Sequence, residues 1–300
     1  MEIFQLRYFV AAARTGSFTR AAQLCHVSQP SLSQQILNLE QELGQRLFDR
    51  LGRRVLLTPA GKTLLEHALA ILHEVESAKR EITESRASLK RPITVAAIPT
   101  VAPYLLPPVL QRIKKQHPEL EVFLEEGLTQ QVLSLVLSGE ADFGVIALPV
   151  EEDRVGIEQL VTEPFYVALS QVDPLAKRPQ CTLAELKGRR FLLLDEIHCL
   201  GELISRFCRT HGLEPKLVSR CSQLCTIQRL IGAAQGISLL PAIVCHQDRD
   251  TSLQYRPLAG EAPKRTLVAI WHRKRGISQG VERLITELKM EARSILAYRS

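Results

Sequence analysis

The 300-residue sequence contains no secretory leader pattern, no internal repeat and no low-complexity tract. Glu2, Arg7 and Arg14 interrupt its start, which argues against a signal peptide. The apolar stretch 93–110 carries Pro99, Pro103, Pro107 and Pro108, so it does not read as a membrane span. Seven cysteines, an odd number in a long chain, make no small-scaffold disulfide framework and point to a reducing cytosol. The expectation is a soluble, cytoplasmic protein of two or more domains with no membrane partner. Excess charge is also scarce over most of the chain. The net charge is +6, yet residues 63–300 hold thirty Lys/Arg against twenty-eight Asp/Glu. Residues 1–62 hold eight against four, and such a basic end suits a polyanion, since binding phosphates releases counterions.

What is present begins with residues 17–43, SFTRAAQLCHVSQPSLSQQILNLEQEL. Ser17 can cap a short helix whose Ala21 and Ala22 let a second helix approach closely. Cys25-His26-Val27 makes a tight connection. Ser28 caps the next helix, with Pro30 in its first turn, where a missing N–H costs nothing. Leu32, Ile36, Leu39 and Leu43 then share one face. The other face shows Gln29, Ser33, Gln34 and Asn38, polar groups that suit phosphates and base edges. Two helices, a three-residue turn and a polar outer face predict a helix-turn-helix whose second helix lies in the DNA major groove. Periodicity alone also allows an ordinary helical hairpin.

With its flanks, this region resembles the N-terminal domain of LysR-type transcriptional regulators. The likeness runs from Phe4-Gln5-Leu6-Arg7-Tyr8-Phe9 through Gly16-Ser17-Phe18-Thr19-Arg20 and Val27-Ser28-Gln29-Pro30-Ser31, then Leu39-Glu40-Gln41-Glu42-Leu43-Gly44, to Leu47-Phe48-Asp49-Arg50 and Leu57-Thr58-Pro59-Ala60-Gly61. The resemblance implies a winged helix-turn-helix over residues 1–58, with Gln29, Pro30, Ser33 and Gln34 at the DNA. A wing would follow on the backbone, carrying Arg46, Arg50, Arg53 and Arg54. Double-stranded operator DNA and RNA polymerase are the implied partners.

A long helix is predicted from Thr58-Pro59 to about Leu89. Leu64, Ala68, Ile71, Val75, Ala78 and Ile82 alternate spacings of four and three, a 3.5-residue period that forms a coiled-coil seam. Either a partner helix or the helix's own domain must cover it. In LysR regulators this linker, here residues 59–91, dimerises, so the resemblance implies a homodimer or homotetramer. Lys90-Arg91-Pro92 ends the helix, and strands then alternate with helices. Candidate strands are 93–98, 121–125, 142–147, 165–170, 190–194, 237–240 and 266–271; candidate helices lie near 105–116, 129–138, 200–210, 223–234 and 278–297. The alternation predicts an α/β architecture with mainly parallel pairing. It resembles the two-lobed, periplasmic-binding-protein-like effector domain of the family over 92–300. The chain would cross near Glu163-Pro164 and Pro263-Lys264, with lobe I at about 92–163 and 265–300 and lobe II at about 164–264.

The chemistry centres on residues 192–208. An apolar strand, Leu192-Leu193-Leu194, runs through Asp195-Glu196-Ile197 into His198-Cys199, which falls at the start of a helix. Unpaired N–H groups there, with a protonated His198, would stabilise a thiolate, the species that attacks a peroxide oxygen. Cys208 follows nine residues later. In an intact helix the rise between them is about 13.5 Å. A disulfide needs Cα atoms about 4.4–6.8 Å apart. Joining the two thiols therefore requires the helix to unwind, although free cysteines are also common as inert core residues.

Here the chain most resembles the peroxide-sensing members of the LysR family. Ala96-Ala97-Ile98-Pro99-Thr100-Val101-Ala102-Pro103, Leu194-Asp195-Glu196 and Gly236-Ile237-Ser238-Leu239-Leu240-Pro241-Ala242 extend the match. That likeness implies hydrogen peroxide as signal, Cys199 as the peroxidatic thiol, Cys208 as its resolving partner, and Thr100, Thr129 and His198 as the peroxide pocket. Hydroxyls both donate and accept, as a peroxide requires. Gly201 departs from the pattern, standing where relatives carry an arginine. Cys221 and Cys225 are extra. Their spacing would put both on one helix face, with Cys245-His246 completing a possible metal set, but buried or incidental thiols are the default, and no metal or cofactor is expected. Cys25 and Cys181 read as structural.

Three functions fit this sequence. One is a peroxide-responsive regulator switched by a Cys199–Cys208 disulfide. A second is a regulator sensing a small organic effector between its lobes, with Thr100 and Thr129 as polar ligands. The third, a thiol peroxidase, is opposed by the DNA-binding half.

Overall fold

A computed structural model describes residues 1–51, 54–83, 92–195, 199–248 and 250–297. The chain packs as two compact units that divide in sequence at residues 88–89.

The first unit contains helices α1 (Ile3–Thr15), α2 (Phe18–Leu24) and α3 (Gln29–Leu43), strands β1 (Phe48–Leu51) and β2 (Arg54–Leu57), and helix α4 (Pro59–Thr83). Ser17 accepts from Arg20 N and Ser28 from Ser31 N, so both caps form as expected. Gly16 and Gly44 end α1 and α3 at φ +60° and +66°, a conformation glycine enters without Cβ strain. Leu32, Ile36 and Leu39 are fully buried with Phe9, Ala21 and Leu47. Leu43 breaks the expected face. It is the last residue of the helix and is 40% exposed.

Glu40 carries the chain from α3 into the wing. Its Oε1 accepts from Leu47 N at 2.7 Å and Phe48 N at 3.2 Å, satisfying two donors before the antiparallel β1–β2 pair begins. Thr58 Oγ1 accepts from Gly61 N at 3.0 Å, opening α4. A Cβ at Gly61 would collide with the Leu47 carbonyl, so only glycine lets α4 approach the wing this closely. The seam expected along α4 divides. Leu64 and Ala68 pack into this unit's own core, whereas Ile71 is 37% exposed and Val75 is half-buried. Ile71 and Val75 are thus the described seam positions left outside that core. The seam side chains at 78 and 82 lie outside the described residues.

The second unit has two hydrophobic cores. The first lobe gathers β3 (Ile93–Ala97), α5 (Ala102–Gln116), β4 (Val122–Glu126), α6 (Thr129–Ser138), β5 (Phe143–Ala147) and α11 (Gln279–Ala297). The second gathers a short helix α7 (Leu183–Leu186), β7 (Arg190–Leu194), α8 (Cys199–Thr210), β8 (Lys216–Cys221), α9 (Leu224–Gly232), β9 (Ser238–Pro241), α10 (Ala242–Gln247) and β10 (Leu253–Pro257). Two long strands link them, β6 (Val155–Ser170) and β11 (Lys264–His272). Val155 and Leu160 of β6 lie in the first core, and Phe165, Val167 and Leu169 in the second.

Those long strands correct the expected pairing. The main sheet runs β10-β6-β11-β5-β3-β4, and only β3–β4 and β3–β5 are parallel in it. β6 pairs antiparallel with β11, β10 and β9, and β11 with β5; the β6–β11 pairing is antiparallel because β6 carries the chain into the second lobe and β11 brings it back alongside. Parallel pairing recurs in β7–β8. No helix among the described residues is long and apolar enough to cross a membrane.

Candidate functional site

Thr100, Thr129 and Cys199 each follow the carboxyl end of a parallel strand, β3, β4 and β7 respectively. Crevices outside such strand ends are where open α/β folds bind ligands. Thr129 opens α6 and is half-buried. Thr100 is 2% exposed, and its hydroxyl has a partner that sequence reasoning missed. Arg265 Nη1 donates to Thr100 Oγ1 at 2.9 Å, and Nη2 donates to the Thr100 carbonyl at 3.3 Å. The same guanidinium donates through Nε to Glu163 Oε1 at 2.7 Å. One signal did exist: Arg265 and Glu163 flank the two expected crossings, and they face each other in the β6–β11 register.

Cys199 is the first residue of α8, a helix of the second lobe, yet its half-buried side chain packs against the first lobe's core. Leu200, Ile204, Phe207 and Cys208 form the buried stripe of α8 and enter the other core. Cys208 is 3% exposed, and burial pushes its thiol up to about 11. It borders a cavity of about 450 Å³, shared with Leu193, Leu213 and Arg220. Both thiols are free, on one unbroken helix and facing two different cores. His198, expected in the pocket, lies outside the described residues.

At Gly201 an added Cβ would sit 2.5 Å from the carbonyl oxygens of both Leu194 and Asp195. The end of β7 packs directly on the first turn of α8, and an arginine cannot enter without displacing that backbone.

The extra cysteines do not form the imagined set. Cys221 ends strand β8 and is buried, whereas Cys225 lies exposed on α9, so no helix face holds both. Cys245 is buried, with its Sγ against the Leu240 carbonyl at 3.5 Å. Among the described residues no group of three or more His, Cys, Asp and Glu could hold a metal ion. Cys181 is fully buried and Cys25 half-buried; burial raises both thiols.

The lobes share a polar joint as well as two strands. Tyr104 of α5 touches both cores and donates to Gln228 Oε1 of α9 at 3.2 Å. Gln228 Nε2 donates to Asp248 at 3.1 Å and to the Tyr255 hydroxyl at 3.3 Å, and Tyr255 also donates to Asp248. Burial is the main reason the Tyr104 phenol is pushed up to about 12.

In the DNA-binding unit, Gln29, Pro30 and Gln34 are exposed at the start of α3 and Ser33 is half-buried. Gln29 Nε2 donates to Ser33 Oγ at 3.4 Å and Gln34 Nε2 to Asn38 Oδ1 at 2.9 Å, leaving a row of polar groups along the outer face. Arg46 is exposed. The side chains of Arg50, Arg53 and Arg54 lie outside the described residues.

A helix-turn-helix joined to a two-lobed α/β domain, with polar groups at the strand ends, defines a DNA-binding regulator rather than an enzyme. Residues 3–62 match the family model of bacterial regulatory helix-turn-helix proteins of the lysR family, and residues 86–293 match that of the LysR substrate binding domain. The chain belongs to the LysR-type transcriptional regulators. It is 37% identical over 273 residues to a "Hydrogen peroxide-inducible genes activator" from Pectobacterium carotovorum, covering 90% of each chain. Full-length OxyR from Pseudomonas aeruginosa, solved as a cysteine-to-aspartate variant, is similar with a TM-score of 0.80 at 29% identity, over 97% of this chain and 96% of that one. A cysteine-to-serine mutant of Corynebacterium glutamicum OxyR, solved with hydrogen peroxide bound, matches at a TM-score of 0.64 and 31% identity, over 99% and 94%.

Proposed function

We propose that this regulator senses hydrogen peroxide through Cys199 and switches by forming a Cys199–Cys208 disulfide. One observation carries the reading: two free thiols on a single intact helix, each facing a different core. The Cys199 thiolate attacks one peroxide oxygen, the O–O bond breaks, and hydroxide leaves to be protonated to water. The product is a sulfenic acid. The Cys208 thiolate then attacks that sulfur, expels hydroxide and closes the disulfide. Because the intact helix separates the pair by about 13.5 Å, α8 must unwind for the second step. Remodelling around residues 195–210 would move the lobes and change the spacing of DNA contacts. The peroxide-inducible relative and the peroxide-bound OxyR structure support this reading. The protein would act in the cytoplasm, on double-stranded operator DNA and beside RNA polymerase.

Thr100 and Thr129 are assigned to the peroxide pocket. Thr100→Val and Thr129→Val each remove a hydroxyl and leave the thiol untouched. Each is expected to slow Cys199 oxidation by roughly ten- to a hundred-fold, because a misplaced reactant loses rate steeply. Quenched-flow oxidation followed by peptide mass spectrometry measures this. Wild-type rates in both variants would remove these residues from the pocket.

At the other end, α3 is assigned to the major groove. Gln29→Ala or Ser33→Ala should relax base preference at particular operator positions, each costing on the order of 1–3 kcal/mol. Binding to operator variants reads this out. Wild-type affinity and preference in both would reject the docking.

A further inference from the structure

Among the described residues two charged side chains are buried, Glu163 at 0% and Arg265 at 3% exposure. They face each other where β6 and β11 pass between the cores. Burying such a pair is a poor way merely to join two strands, since lost hydration offsets much of the attraction. The pair does build a directed chain of hydrogen bonds. Ile243 N, at the start of α10, donates to Glu163 Oε2 at 2.8 Å, and Arg265 Nε donates to Oε1 at 2.7 Å. A guanidinium is planar, so fixing Nε fixes the directions of Nη1 and Nη2, and these reach Thr100 Oγ1 and its carbonyl.

The consequence falls on Thr100. A hydroxyl has one proton and two lone pairs. Arg265 occupies one lone pair, which leaves the proton and the other lone pair for a ligand. We propose that Glu163 is a positioning residue of the sensor, acting through Arg265 to aim the Thr100 O–H at the peroxide oxygen that departs as hydroxide. Negative charge grows on that oxygen as the O–O bond breaks, so a fixed donor favours the transition state over bound peroxide. Glu163 itself touches no reactant. The inference rests on the peroxide reading of Cys199 and Thr100.

The test measures the second-order rate of Cys199 oxidation by hydrogen peroxide in the full-length protein. The variants are Glu163→Gln, Arg265→Lys and Thr100→Val, with each of the first two also combined with Thr100→Val. Arg265→Lys retains a cation beside Glu163 but cannot also span to Thr100, so it serves if Glu163→Gln folds poorly. Both single variants should oxidise roughly ten- to a hundred-fold more slowly. Alkylation of Cys199 by iodoacetamide, which needs no Thr100 hydroxyl, should not slow. In the Thr100→Val background their effects should shrink to within about twofold, since coupled residues fail to add. Full effects persisting without the Thr100 hydroxyl, or slowed alkylation, would mean general damage and overturn the assignment of Glu163 alone. Wild-type oxidation in Thr100→Val would overturn both the peroxide pocket and the role built on it.

Discussion

Cys199→Ser is expected to hold the reduced DNA footprint at every peroxide dose, whereas Cys208→Ser should still form a sulfenic acid at Cys199 but fail to lock the oxidised footprint. The asymmetry follows from burial. Cys199 is half-buried against the first lobe, while Cys208 is 3% exposed in the second core and pushed up to about 11. A thiol held protonated is a poor nucleophile, so Cys208 in the intact helix is expected to react only slowly with peroxide. The same shift gives a pH signature. A folded-state value raised above the ordinary cysteine range stabilises the intact helix below that range. The contribution is lost as pH climbs through the window up to about 11, because the unwound thiol ionises first. Disulfide closure after sulfenic acid formation should therefore accelerate with rising pH across that window. Stopped-flow traces at increasing pH, with peptide mapping of each variant, check both points. A Cys199→Ser protein that still changes its footprint would remove Cys199 as the sensor.

We propose that two subunits associate through the α4 seam, in which case placing aspartate at both Ile71 and Val75 should abolish dimerisation. These are the described seam positions that this chain's own core leaves uncovered, whereas Leu64 and Ala68 pack at home. A charge buried in an apolar seam costs several kcal/mol, so two of them should weaken association by roughly a thousandfold or more. Sedimentation velocity across a concentration series reads this directly, with circular dichroism confirming that the helix survives. An unchanged dimer or tetramer in the double variant would mean that another surface holds the subunits together.

The helix-turn-helix was legible because its signals are local: Ser17 and Ser28 cap, and the Leu32–Ile36–Leu39 spacing marks the buried face. Strands β3, β5 and β7 were legible as short apolar runs, each mostly or wholly buried. β8 was not, because it exposes Leu217 and Val218 and shows no clean alternation. β6 was read as starting after Pro164, yet the strand runs straight through it. Pro164 stands opposite Lys264 within the ladder, and a residue without an N–H marks a boundary in sequence more readily than in space. The seam was only half legible, since a 3.5-residue repeat does not say whether a partner or the helix's own domain covers it.

The candidate site divides in the same way. Cys199 at a helix start and Cys208 nine residues on could be read from the chain, as could the mismatch between helix rise and disulfide length. That the two thiols enter different cores could not, because it depends on α8 lying between the lobes. The Glu163–Arg265–Thr100 chain joins residues 102 and 165 positions apart, and only the β6–β11 register brings them together. Gly201 looked like a lost arginine in the sequence. In the fold it is where two carbonyls meet the helix.

On the proposed function, peroxide converts an intact α8 into a remodelled, disulfide-closed segment. The most direct measurement treats the full-length protein with stoichiometric hydrogen peroxide and analyses it without reduction. Disulfide-resolved peptide mass spectrometry is combined with hydrogen exchange over residues 199–210. A Cys199–Cys208 peptide pair and loss of amide protection along α8 are expected, both reversed by a dithiol reductant. A Cys199–Cys225 pair would replace the resolving thiol and leave the sensor standing. Cys199 remaining a free thiol while peroxide still alters DNA binding, or a Cys199–Cys208 bond formed with α8 fully protected, would rule out a disulfide switch through remodelling of α8.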